Sequence, residues 1–230
     1  MMAEDLKKLI AIVIPALNEA PTIGKVIVSA SRYSDEIIVV DGHSCDMTAA
    51  ISRASGAKVI FDHGKGKGDA IRTAIPHIKK DITVFMDADG SHDPDDIPGL
   101  VRPILDGIAD HVTGSRLIGG SSELHGGFDE FLRLAGSSFI TACINHHFRV
   151  RLSDSQNGFR AIRTEVLRSL GLMEDITTIE QEMIIKTLKK GFRMAEFPSH
   201  EYKREAGKSK IRLRKVAFRY VFSMIKYLYF

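Results

Sequence analysis

The sequence predicts an α/β fold: a mostly parallel sheet sandwiched between helices. Three observations predict it. Short apolar runs alternate with helical stretches in a β-α-β-α-β-α-β order through residue 90, the pattern of a parallel sheet with both faces covered. The runs are continuous rather than alternating, as strands buried on both sides are. Three of them stop at Pro15, Asp41 and Asp87, which a parallel sheet brings to one edge, where α/β folds bind ligands.

Leu9 to Ile14 is an apolar run that stops at Pro15. The turn Ala16 to Thr22 follows, and Thr22 or Pro21 opens a helix to about Ser31. Glu36 to Val40 is a second buried strand with Asp41 at its end. The turn Asp41 to Asp46 then caps a helix from Met47 to Ser55. Lys58 to Asp62 is a third strand. The loop Gly64 to Gly68 after it lacks the Gly-Lys-Ser/Thr ending of a phosphate loop and reads as a solvated turn, with Lys67 its one residue placed to reach a nucleotide.

The centre of the chain is Thr83-Val84-Phe85-Met86-Asp87-Ala88-Asp89-Gly90. This apolar run reads as a buried strand ending in two carboxylates, and strand alternation puts Asp87 and Asp89 on one face with Ala88 turned away. Two carboxylates side by side repel unless a cation lies between them. Oxygen ligands with room for phosphate suit Mg²⁺ or Mn²⁺. The bland alternative is a strand end whose Asp residues cap the next helix.

Asp93 to Leu105 reads as a helix and His111 to Arg116 as a strand ending in a cation. Gly119 to Gly127 is a polar, glycine-rich loop. Phe128 to His147 is helical, with Arg133 near its start, and the adjacent His146 and His147 point apart, which argues against a shared metal. Asp154 to Phe159 turns into a strand, and Thr164 opens another helix. Thr178 to Lys190 is a helix whose Glu180 and Glu182 suit its dipole. Arg193 to Pro198 is the last strand. From Ala206 to Phe230 there are seven Lys/Arg and no acid. Val216 to Phe230 is nearly all apolar, with Arg219, Ser223 and Lys226 forming a narrow polar stripe. A packed terminal helix or an amphipathic helix on an anionic membrane surface both fit, and the aromatic residues favour the membrane.

Composition narrows the function. The chain has 230 residues, 44% of them hydrophobic, enough for a real core. A net charge of +3 is too mild to imply nucleic acid. Cys45 and Cys143 show no metal spacing and suggest a reducing compartment. No apolar run reaches the ~20 residues of a membrane span, and Met1 to Lys8 has no signal-peptide core.

Six motifs occur in order: Ile-Pro-Ala-Leu-Asn-Glu (14–19), Val-Asp-Gly-His-Ser-Cys-Asp-Met-Thr (40–48), Met-Asp-Ala-Asp-Gly (86–90), Gly-Ser-Arg (114–116), Asn-Gly-Phe-Arg (157–160) and Arg-Glu-Ala-Gly-Lys-Ser-Lys (204–210). Over residues 9 to 212 the chain resembles a family 2 glycosyltransferase of the GT-A fold, in particular the dolichol-phosphate mannose synthase branch and related polyprenyl-phosphate hexosyltransferases.

The resemblance implies a nucleotide-sugar donor of the GDP-mannose or UDP-glucose type, a divalent Mg²⁺ or Mn²⁺, and a lipid phosphate acceptor. Residues 9–90 would form a nucleotide-binding half, 91–212 an acceptor half, and 213–230 a membrane-associating helix holding the enzyme peripherally on the cytoplasmic side. Pro15, Leu17 and Glu19 would line the base and ribose pocket, closed by Val39 and Asp41, with Asp41 bonding the base. Asp87 and Asp89 would hold the metal, and Ala88 the nucleotide. Arg116, Arg204 and Lys210, joined by Arg133, would neutralise phosphates, making Asp89, Arg116 and Arg204 the catalytic candidates. Ser91 stands where related synthases often carry Gln, so water would complete the metal shell. Gly42 stands where a second Asp is usual.

The implied chemistry is inverting displacement at an anomeric carbon. A lipid phosphate is already an anion and needs positioning more than a base. A hydroxyl acceptor would need one, with Asp154 or Glu182 as candidates. The alternatives are such a hydroxyl-acceptor transferase, a non-catalytic nucleotide-sugar-binding adaptor, and a nucleotidyltransferase. The last is disfavoured because Ala16 to Thr22 contains no Gly.

Overall fold

A computed structural model describes residues 3–122, 128–204 and 213–230. Its centre is a seven-stranded mixed sheet: β1 (Ile10–Ala16), β2 (Glu36–Asp41), β3 (Lys58–Phe61), β4 (Ile82–Phe85), β5 (His111–Ser115), β6 (Arg160–Arg163) and β7 (Met194–Pro198), in the order β3-β2-β1-β4-β6-β5-β7. Every neighbouring pair is parallel except those of β6, which runs antiparallel to both β4 and β5. The mostly parallel α/β fold expected from the alternation is what the chain adopts.

The direction of β6 positions the site. Parallel strands deliver their C-terminal ends to one edge, and an antiparallel strand delivers its beginning there. Arg160, the first residue of β6, pairs with Phe85, the last of β4. The loop before β6, Asp154 to Phe159, is therefore brought beside Asp87.

Two apolar layers cover the sheet. Ile12, Ile14, Val39 and Val84 pack with Ile23, Ile27, Leu100 and Ile104 on one face. Val13, Ile38, Val40 and Phe85 pack with Ile71, Leu167 and Met183 on the other. A third cluster holds the C-terminal helix Leu213–Tyr229 against the helices Phe128–Phe148 and Ile179–Lys189, through Ile140, Ile144, Ile184, Met224, Tyr227 and Leu228.

Some elements differ from expectation. Residues Ala3–Leu9 form a short helix that the sequence reading did not assign. β1 runs on through Pro15 to Ala16. Val13 accepts from the Met86 amide, so this set of β1 residues faces β4. Pro15 faces the same way, but β4 has ended at Phe85, and no ladder donor is missed there. The strand expected to end at Arg116 ends at Ser115, Arg116–Gly119 form a single helical turn leading into the loop expected over 119–127, and 123–127 lie outside the described residues.

The C-terminal helix is turned differently from the expected polar stripe. Ser223 is buried, Arg219 is exposed, and the Lys226 amine lies 3.0 Å from the Tyr227 hydroxyl and 3.7 Å from Glu174. The aromatic residues divide by chemistry. Tyr220 faces inward, where its hydroxyl bonds Thr177 at 2.6 Å. Phe218, Val221, Phe222, Ile225 and Tyr229 face out. Among the described residues no helix is long and apolar enough to cross a membrane.

One close approach is structural. Gly68 opens the helix Lys67–Ala74 against the backbone of residues 174–176, and a Cβ there would meet the Glu174 carbonyl oxygen at 2.3 Å. Backbone cannot swing aside, so Gly68→Ala is expected to destabilise the fold by about 2 kcal/mol. Urea denaturation checks this as a lowered midpoint with unchanged slope.

Candidate active site

The sheet's carboxyl edge is assembled from four turns. The turn after β1 is clasped to the turn after β2: the Asn18 amide donates to Ser44 Oγ at 2.8 Å, Cys45 N to Asn18 Oδ1 at 2.8 Å, and Glu19 N to Thr48 Oγ1 at 2.8 Å. Asn18 takes a positive φ of 56°, a conformation Asn tolerates better than most residues. Asp41 anchors the clasp, accepting from Ser44 N at 2.6 Å. It is fully buried, and its Oδ2 has no hydrogen-bond partner. Val39 lies in the core below the edge, Pro15 is half-buried and Leu17 is exposed.

Asp87 and Asp89 are not strand residues. β4 is only four residues long, so both lie in the turn that follows, and strand alternation does not set their directions. Each meets a cation. Lys67 Nζ lies 2.6 Å from Asp87 Oδ1 and 3.0 Å from Glu180 Oε1. Arg204 Nη1 lies 3.1 Å from Asp89 Oδ2, and the Ser91 amide donates to Asp89 Oδ1 at 3.0 Å. Tyr202 N donates to Ser91 O at 2.9 Å, which draws the segment carrying Arg204 onto this turn. The His92 ring accepts from the Asp87 amide and stacks on Phe159. Ala88 is buried in the core.

Burial alone would raise the Asp87 carboxyl pKa. The Lys67 ammonium, with Arg204 adding to it, outweighs burial and holds it well below the ordinary value. Lys67 is shifted the other way, its burial overcome by Asp87 and Glu180. Gly158 lies against this pair: a Cβ there would be 2.5 Å from Lys67 Nζ.

Across the crevice, Arg116 grips Asp154 with two nitrogens, Nε to Oδ2 at 2.6 Å and Nη2 to Oδ1 at 3.0 Å, and reaches Glu201 with Nη1 at 3.4 Å. Burial would raise the Asp154 carboxyl, but this guanidinium holds it below its ordinary value. Glu196 receives the amides of Ser153 and Asp154 at 2.9 Å, fixing the loop.

The two ion-paired clusters, Lys67 with Asp87 and Glu180 and Arg116 with Asp154 and Glu201, line one cavity of about 500 Å³. Lys67, Asp87, Arg116, Arg133 and Arg204 stand at its polar wall, and Leu134, Phe139 and Val221, from the helices Phe128–Phe148 and Leu213–Tyr229, form an apolar wall. Tyr220 lines it as well, its phenol pushed up to about 12 by burial and the nearby Glu180.

The structure thus brings together Asp87, Asp89, Ser91, Arg116, Arg133 and Arg204. Pro15, Leu17, Glu19 and Asp41 form a separate neighbourhood on the same edge. Lys210 lies outside the described residues. Glu182 is away from the cavity, buried and bound to the amides of Met173 and Glu174 and to Lys186. Lys67 is not in a solvated turn, and Glu180 does more than complement a helix dipole. The two charges in the glycine loop were the available signal for Lys67. Nothing local distinguished Glu180 from Glu182.

Among the described residues no three His, Cys, Asp or Glu side chains cluster as a complete metal cage. Two ionised carboxylates in a turn fit an ion that takes the rest of its shell from substrate phosphates and water, as Mg²⁺ does.

Residues 11–171 match the family model described as Glycosyl transferase family 2. Glycosyltransferase AglJ of Haloferax volcanii is 31% identical over 203 residues, 86% of this chain but 64% of that protein. The dolichyl-phosphate hexose transferase of the same organism is 31% identical over 209 residues, covering 88% of this chain and 86% of that one. A crystal structure of glucosyl-3-phosphoglycerate synthase from Mycobacterium tuberculosis, in complex with Mn²⁺, uridine diphosphate and glucosyl-3-phosphoglycerate, is similar with a TM-score of 0.78 at 25% identity, over 99% of this chain and 84% of that chain.

Proposed function

Because this chain belongs to glycosyl transferase family 2, we propose that it transfers a hexose, with inversion, from a nucleotide-sugar to a polyprenyl phosphate. One observation carries the choice of acceptor. Every carboxylate on the cavity wall is ion-paired: Asp87 and Glu180 with Lys67, Asp154 and Glu201 with Arg116. A carboxylate so held is a poor proton acceptor, so the cavity favours a nucleophile that is already an anion. The similarity to a dolichyl-phosphate hexose transferase supports the same reading.

In this reading the turns of residues 9–90 hold the nucleotide and residues 91–212 the acceptor. Asp87 and Asp89 would hold a divalent ion there. When bound, that ion supplies Lewis-acid stabilisation of the leaving group. Lys67 and Arg204, already at these carboxylates, lie where the diphosphate's negative charge develops. Arg116, fixed in orientation by Asp154, has guanidinium hydrogens left over for the acceptor phosphate, and Arg133 adds charge on the same wall. Leu134, Phe139 and Val221 exclude water beside them. The outward Phe218, Phe222 and Tyr229 seat the enzyme on the membrane surface, peripherally and on the cytoplasmic side, so that the acceptor enters from lipid.

A soluble hydroxyl acceptor is the second reading, favoured by the similarity to a synthase crystallised with phosphoglycerate compounds. Incubation with Mn²⁺ or Mg²⁺, GDP- and UDP-sugars and a short polyprenyl phosphate in detergent separates them. The expected result is a glycosylated lipid with its anomeric configuration opposite to the donor's. Transfer only to soluble acceptors would overturn the lipid assignment, and a retained configuration would overturn direct displacement.

A further inference from the structure

The turn after β2 lacks a side chain at Gly42, beside the exposed Leu17. The Cβ position of Gly42 is bounded by Ala16 O at 3.5 Å, Leu17 Cβ at 3.6 Å and Asp62 Oδ2 at 3.6 Å. The Asp62 carboxylate therefore reaches, from the end of β3, the space that a residue 42 side chain would fill. Asp62 is held there. The Gly64 amide donates to its Oδ1 at 2.7 Å, and His43 Nε2 bonds its carbonyl at 2.9 Å. The side chain is 3% exposed.

Its second oxygen, Oδ2, is different. No described residue donates to it, yet it is not sealed in like the orphan Oδ2 of Asp41. Burial, with the backbone bond to Gly64 opposing it and Asp69 adding to it, raises this carboxyl above its ordinary value. That oxygen has no donor among the described residues and is open to one brought by a ligand.

We propose that Asp62 Oδ2 reads the donor's nucleobase by accepting its ring N–H, supplying from β3 the carboxylate missing at position 42. The inference rests on the nucleotide-sugar reading of this edge. A ring N–H is present in guanine, at N1, and in uracil, at N3. Adenine and cytosine present a lone pair at the corresponding nitrogen, which a carboxylate repels. Asp62 thus selects guanine or uracil donors over adenine or cytosine ones.

The test is calorimetric binding of GDP, UDP, ADP and CDP to the full chain with Mn²⁺, for the wild type and Asp62→Asn, with Mn²⁺-pyrophosphate as a base-free probe. In the wild type, GDP or UDP should bind at least roughly tenfold tighter than ADP and CDP; the tighter of the two names the donor. Asp62→Asn, whose amide can also donate, should weaken that nucleotide roughly ten- to a hundredfold and narrow the gap to ADP and CDP. Pyrophosphate should bind both proteins alike. An unchanged base ranking in Asp62→Asn, with nucleotides still bound, would overturn the role of Asp62 and leave the donor site standing. Failure of every nucleotide and of pyrophosphate to bind would overturn the donor site itself.

Discussion

Asp89→Ala is expected to lower sugar transfer roughly a thousand-fold while leaving the protein folded, in line with the loss of a preorganised group at a developing charge. Asp89 sits between the Ser91 amide and Arg204 in a turn rather than in a strand or helix. Its removal deletes one of the two carboxylates proposed for the divalent ion. Arg204, which keeps access to solvent, can hydrate instead of being stranded. The measurements are the initial rate of lipid glycosylation, Mn²⁺ affinity in the presence of nucleotide, and the melting temperature. A rate within tenfold of wild type would remove Asp89 from the mechanism. A collapse in melting temperature would show that the turn is structural first.

Arg116→Met should act through stability as well as catalysis. It keeps the aliphatic stem and deletes the charge, leaving the buried Asp154 carboxylate without its bidentate partner. Breaking such a pair from one side costs about 3–5 kcal/mol. The pH dependence carries the sign. In the wild type the folded Asp154 pKa is depressed, so its pairing contributes fully above the unfolded carboxylate value near ~4 and fades as pH falls toward the depressed folded value. The variant's deficit should therefore be largest near neutrality and shrink on acidification, as the unpaired Asp154 of the variant takes up a proton and is no longer a stranded charge. Urea denaturation at several pH values checks this. Arg116→Met combined with Asp154→Asn should recover much of the loss, since no stranded charge remains.

How much of this was legible in sequence follows from distance along the chain. The strands and helices up to residue 90 were readable because a buried parallel strand announces itself locally. Asp87 and Asp89 were readable as a pair, but their placement in a turn was not. That depends on β4 stopping at Phe85, where its pairing with β1 and β6 ends. Lys67 and Glu180 are separated by 113 positions and meet only because the start of the helix Lys67–Ala74 and the helix Ile179–Lys189 both pack at the sheet edge. Neither a glycine-rich loop nor a glutamate in a first helical turn carries that information. The C-terminal helix shows the same limit. Its composition signalled an amphipathic segment, but which tyrosines turn inward depends on partners such as Thr177, some forty residues upstream.

The antiparallel strand has a consequence for synthesis. β4 finds its first neighbour, β1, in residues already made, but its second, β6, lies at 160–163. As the chain emerges from the ribosome, some seventy-five residues must follow before that side of β4 is covered. Until then Ile82, Val84 and Phe85 form an open apolar edge able to template pairing with another nascent chain. The charged turn immediately downstream, with its cluster of aspartates from 87 to 96, sits beside that edge and repels a second copy of itself, so the carboxylates proposed to hold a cation in the folded enzyme also protect the unfinished one.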